Sequence, residues 1–132
     1  MGEWHHSPHL TVAARRWSED SRAAVIALFV EQCLPALRDT ARSMGYALAV
    51  HGTLRRDLDL VAIPWVERAS SPDELVEALA LRTKDLTGWG HLTHDRWHEK
   101  PHGRIATTLV ADSEVNLDIS VMPLVPAPEK PE

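Results

Sequence analysis

The stretch from Gly45 to Pro64 constrains this chain more than any other. It reads G-YALAV-HGTLRR-DLDLVAI-P. Gly45 is a natural left-handed helix terminator, and Pro64 lacks the N–H that regular strand pairing needs. Between them lie two short apolar runs joined by a tight link. Residues 46–50 are continuously apolar, and residues 57–63 are acidic at the start and apolar thereafter, so each reads as a strand. Strands need partners. Residues 104–110 and 115–122 supply two more, joined by the turn residues Asp112 and Ser113. An all-helical fold is thereby excluded.

Helices are expected on either side of the first strand pair. Ser18 is a candidate cap, with Glu19 and Asp20 in the first turn, where carboxylates suit the positive end of the helix dipole. Val25, Ile26, Leu28, Phe29 and Cys33 then recur at helical spacing. Pro35 predicts a break near Leu34, because it lacks an N–H and clashes with the preceding turn; a second helical piece should end at Met44. At 70–75 the text SSPDEL is a strong helix start: Ser71 caps, Pro72 takes the first position and Glu74 completes a capping box. Leu75 and Leu79 give this helix an apolar face through about Arg82. Residues 83–103, polar and glycine-punctuated, read as a long loop, a length that usually carries function or mobility. The expected fold class is α/β (α+β), a small mixed sheet of about four strands against two to three helices. Residues 1–16 read as an extended arm, 17–123 as one domain and 124–132 as a proline-rich tail.

Composition agrees with one globular domain: 132 residues, 44% apolar and 25% charged. The net charge of −5 excludes a broadly basic nucleic-acid coat. Cys33 is the sole cysteine, so no internal disulfide forms, and its apolar helical context suggests a buried small hydrophobe. Glu3 and His5-His6 stand where a secretory leader needs an apolar run, and no stretch has the apolar length of a membrane span. A cytoplasmic protein without membrane partners is expected.

The chemistry-bearing residues are carboxylates. Asp57 and Asp59 stand two apart on a predicted strand, so both leave one face, about 6.6 Å apart by strand rise. Such a pair repels unless a cation lies between, and hard oxygens favour Mg²⁺. In VNLDISVM, alternation puts Asn116, Asp118 and Ser120 on the face opposite Leu117, Ile119 and Val121. Three strand-borne carboxylates on one face would hold two metal ions and organise phosphoryl transfer. The plainer alternative is that Asp57 and Asp59 flank a turn and Asp118 faces water.

The segment AVHGTLRRDLDLVAI resembles the signature of the nucleotidyltransferase superfamily that includes DNA polymerase beta and the minimal nucleotidyltransferases. In that family a strand ends in Gly-Ser or Gly-Gly, the next begins with Asp-x-Asp, and a third Asp lies on a later strand. Gly52-Thr53, Asp57-Leu58-Asp59 and Asp118 match in that order, and the preceding LRDTARSMGYALAVHG, a helix ending in glycine, is similar as well. The likeness covers residues 34–63 and, more loosely, 104–122. It implies a nucleotidyltransferase-like fold with these roles: Gly52 lets a phosphate approach the backbone, and the Thr53 hydroxyl donates to it. Asp57 and Asp59 would ligate Mg²⁺ on the nucleotide phosphates, and Asp118 the metal that activates an acceptor hydroxyl. One departure stands out. The family places a longer segment, with a turn or so of helix, between its Gly-Ser and its Asp-x-Asp; here only Leu54, Arg55 and Arg56 intervene.

Cations complete the expected site. Arg55 and Arg56 are candidate phosphate ligands, or a solvated turn that offsets the acids. KPHGR delivers Lys100, His102 and Arg104 just before a strand expected beside Asp118, suited to nucleotide phosphates or forming an ordinary charged turn. Trp65, Trp89 and Trp97 would stack on a base or serve as packing. His91, His94, His98 and His102, with Asp95 and Glu99 among them, have spacings a zinc site would use on a helix. No HExxH pattern accompanies them, however, and an incidental polar loop explains them as well; His5, His6 and His9 would join only if the arm folded back. The leading expectation is a protein that binds a nucleoside triphosphate or other nucleotide through Mg²⁺ and transfers a nucleotidyl group to a hydroxyl on protein, RNA or a small molecule. The alternative keeps the fold without catalysis, as a nucleotide-sensing or protein-binding module, which the short link favours. A zinc-dependent hydrolase built on the histidine loop is the third reading.

Overall fold

The computed structural model describes residues 8–124, with side chains from Trp17 onward. Within them the chain is α+β, with three α-helices and a mixed sheet of six strands. Helices α1 (Pro8–Gln32) and α2 (Leu34–Ser43) precede strands β1 (Tyr46–His51) and β2 (Leu58–Pro64). Helix α3 (Pro72–Thr87) follows, then the short strands β3 (His91–Leu92) and β4 (His98–Glu99) and a 3₁₀ turn at Pro101–Gly103. Strands β5 (Ile105–Val110) and β6 (Asn116–Val121) end the described fold.

The helix breaks fall where local chemistry demands them. Pro35, in the first turn of α2, cannot donate to the preceding turn. The chain therefore pauses at Cys33, bridged by Cys33 N–H to the Phe29 carbonyl at 2.8 Å. Gly45, at φ +90°, ends the second piece; a Cβ there would come within 2.7 Å of Val66 Cγ2. Ser71 Oγ accepts from Glu74 N–H, and the Glu74 carboxylate accepts from Ser71 N–H, completing the capping box at α3.

Four expectations need correction. The arm was expected to be extended through residue 16, but α1 already runs from Pro8, because no glycine or further proline interrupts 9–32. Ser18 consequently sits inside that helix and caps nothing. Residues 1–7 of the arm and 125–132 of the tail lie outside the described residues. Strand β2 starts at Leu58 and contains Pro64 as its last residue, so Asp57 belongs to the link. The stretch 83–103 is not one loop: α3 continues to Thr87, and β3 and β4 both pair with β5, which brings the sheet to six strands.

The sheet order is β1-β2-β6-β5-β3, with β4 also on β5. Only β2 and β6 run parallel; the other pairs are antiparallel. One face, carrying Leu48, Leu58, Leu60, Ala62, Leu109, Leu117, Ile119 and Val121, is buried in one core with Leu34, Leu37 and Ala41 of α2 and Leu75, Val76 and Leu79 of α3. Alternation turns the other residues of these strands to the opposite face, where Ala47, Ala49, His51 and Ile63 are exposed. Among the described residues no helix is long and apolar enough to cross a membrane.

Candidate functional site

Register assembles the site on the open face. Asp59 lies opposite Asp118 across the parallel β2–β6 pair, His51 opposite Asp59 across β1–β2, and Thr108 opposite Asp118 across β5–β6. Four side chains thus form one row across four strands, His51–Asp59–Asp118–Thr108. Thr108 Oγ1 donates to Asp118 Oδ1 at 3.1 Å. Burial pushes the Asp118 carboxyl above its usual range; the Thr108 hydrogen bond opposes this, and the charge and hydrogen bonding of Asp59 reinforce it. The two carboxyls form a like-charged pair in partial shelter from water.

Above the row lies a cavity of about 340 Å³. Its wall joins the acids Asp59 and Asp118 to Lys100, Arg104 and His98, with Ser120 and Thr108 between them. Strand β4 brings in the cations: His98 pairs with Ala106, and Lys100 N–H donates to the Arg104 carbonyl at 2.9 Å. The segment before β4 is fastened to α3. Arg96 reaches Glu77 at 2.9 Å, and Trp97 Nε1 donates to Asp73 at 2.8 Å. Trp97 therefore packs and ties the segment down, while Trp65 and Trp89 are exposed and lie outside the cavity wall.

The remaining expected residues fall elsewhere. Asp57, in the link, does not line the cavity and so does not share a strand face with Asp59. It stands near enough to Asp118 that, after burial, this neighbouring charge raises its pKa, while Arg22 and Arg56 lower it. Gly52, at φ +84°, sits against Asp59: a Cβ there would lie 2.6 Å from Asp59 Oδ2. The group that needs this glycine's bare backbone is thus the protein's own carboxylate. Thr53 is exposed and does not line the cavity. The link carries no helical turn, and Leu54 adopts a positive φ of 59° within it. Arg55 and Arg56 turn away from the cavity to α1, pairing with Asp20 at 2.6 Å and Glu19 at 2.7 Å.

His51, His98 and Thr108 were not singled out for this cavity from the sequence. His51 precedes Gly52 directly, and strand alternation from it would have flagged the position. His98 and Thr108 join only through the pairing of β4 and β6 with β5.

Among the described residues, no three His, Cys, Asp or Glu side chains gather as a ready-made metal cluster. His91, His94, His98 and His102 lie on an extended path of short strands and turns, so their spacing places no helical face of imidazoles together. That removes the geometric basis of the zinc reading. The Asp59–Asp118 pair is different. Mg²⁺ commonly takes one or two protein carboxylates and completes its shell with water and substrate phosphate. Two adjacent hard-oxygen ligands beside two cations fit a Mg²⁺–phosphate group by donor chemistry.

No protein-family model matches the chain, and no curated protein matches it significantly.

Proposed function

We propose that the protein binds a nucleotide together with Mg²⁺ in this cavity and transfers its nucleotidyl group to a hydroxyl acceptor, on a nucleotidyltransferase-like fold. One observation carries the reading: Asp59 and Asp118, in register on adjacent parallel strands, share a cavity with Lys100 and Arg104. Asp59 and Asp118 would hold the metal, which when bound supplies charge neutralisation for the phosphates. Lys100 and Arg104 bind the nucleotide's phosphate oxygens, Arg104 as a planar fork and Lys100 as a point charge. Asp118, whose proton affinity is raised, accepts the proton of the acceptor hydroxyl at a carboxylate oxygen as that oxygen bonds to the α-phosphorus. Pyrophosphate departs toward the two cations. The resemblance of Gly52-Thr53, Asp57-Leu58-Asp59 and Asp118 to the family signature supports the same assignment, with Asp57 in a supporting electrostatic role.

The test is calorimetric titration with each nucleoside triphosphate, with and without Mg²⁺, followed by transfer of label from an α-labelled nucleotide. Binding that requires Mg²⁺ and is lost in Asp59→Asn is the expected result; binding of none of them by the wild type refutes it. A non-catalytic module is the second reading, favoured by the link that lacks a helical turn and by the engagement of Arg55 and Arg56 with α1. It expects binding without transfer.

A further inference from the structure

The outer edge of β1 carries a second recognition surface, remote from the cavity in its residues and independent of the nucleotide reading. Strand β1 ends the sheet order, and among the described residues no strand pairs with its outer side. Backbone parity identifies the open groups. Gly45's carbonyl accepts from Trp65 N–H, on the β2 side. Odd-numbered residues of β1 therefore point their backbone groups at β2, and Tyr46, Leu48 and Val50 point theirs outward. The outward Leu48 carbonyl accepts from Arg38 Nε at 3.2 Å, a side chain standing in for a missing strand.

This edge lies in a groove of about 460 Å³ lined by Arg38, Arg42, Tyr46, Ala47, Leu48 and Trp65. Arg38 and Arg42 are four apart on α2 and so share one helix face. Both are exposed, and among the described residues neither is paired with a carboxylate. Trp65 is 61% exposed. Unpaired edge groups, two free guanidinium groups and an uncovered indole meet in one groove.

We infer that the β1 edge binds an extended acidic peptide by strand addition. The peptide's main chain would pair with the outward groups of Tyr46, Leu48 and Val50. Its carboxylates would meet Arg38 and Arg42, drawing Arg38 off the Leu48 carbonyl, and an apolar side chain would rest on Trp65. Charge selects this occupant. A second copy of the chain, paired through its own β1, would bring a second set of α2 arginines against the first. A nucleic acid would leave the strand-edge groups without partners.

The probe is a fluorescein-labelled octapeptide of alternating glutamate and valine, followed by anisotropy against the full chain. Saturable binding is expected. It should be about tenfold weaker in Arg42→Gln and in Trp65→Ala, both exposed positions whose folding is checked by circular dichroism. It should also be lost for a peptide N-methylated at alternate residues, which keeps the charge but cannot pair. No binding by the wild type overturns the inference. So does equal affinity for the N-methylated peptide, or for a lysine–valine peptide. A dimer in sedimentation that Arg42→Gln dissociates assigns the edge to a second copy and overturns it as well.

Discussion

Asp118 holds its carboxyl in partial burial beside Asp59, with Thr108 donating to it. A carboxyl whose pKa is raised on folding binds its proton more tightly in the native state than in the unfolded chain. Its contribution to stability is therefore full below the ordinary carboxylate value and is lost as pH rises through the raised native value. At neutral pH both acids are ionised and the cost is complete. Asp118→Asn should accordingly melt at a higher temperature than the wild type at pH 7, with the gap closing as pH falls toward about 4. Thermal melts across that range check it, and a constant gap would refute it. Mg²⁺ should raise the wild-type midpoint at pH 7 and leave Asp118→Asn nearly unmoved, since a ligand stabilises only the state that binds it. Gly52 was legible in the sequence as a position where something approaches the backbone. That the approaching group is Asp59 was not, because the contact depends on how β1 and β2 register.

Among the elements, α3 shows what local chemistry determines. Its cap, first-position proline and returning glutamate lie within four consecutive residues, so the start was readable without tertiary information. Ser71→Ala should cost about 1 kcal/mol of stability, measured by urea denaturation, because Glu74 N–H then loses its acceptor. A null effect would mean that solvent replaces the hydroxyl fully. Helix α1 shows the opposite. Ser18, Glu19 and Asp20 have the composition of a helix start, yet they lie in its interior. Two of them serve instead as partners for the link, Glu19 for Arg56 and Asp20 for Arg55. Nothing local in the sequence distinguishes an acidic cap from an acidic anchor whose partner lies more than thirty residues away. Strands β3 and β4 were missed because two-residue pairings have too few residues to show a period, and β5 imposes them.

At the scale of the molecule, the fold sorts the cations into two sets. Lys100 and Arg104 reach the cavity, while Arg55 and Arg56 fasten the β1–β2 link to α1. Replacing Lys100 and Arg104 with alanine should weaken Mg²⁺–nucleotide binding by about a hundredfold, as two charge-assisted contacts are lost. Replacing Arg55 and Arg56 should leave that affinity within about twofold, since exposed pairs contribute little beyond their own contact. Titration calorimetry of the two double variants decides, and equal losses in both would return Arg55 and Arg56 to the cavity. The sequence by itself determined the strand runs of β1, β2, β5 and β6, the break before Pro35, the cap of α3 and the side of β6 that bears Asp118. Each of these follows from periodicity, backbone chemistry or a contact within a few residues. Which carboxylates pair, which cations face them, and which edge of the sheet stays open were decided only by tertiary structure. These depend on the parallel register of β2 with β6 and on β5 gathering β3 and β4, pairings between segments far apart in the chain whose offsets no local pattern encodes.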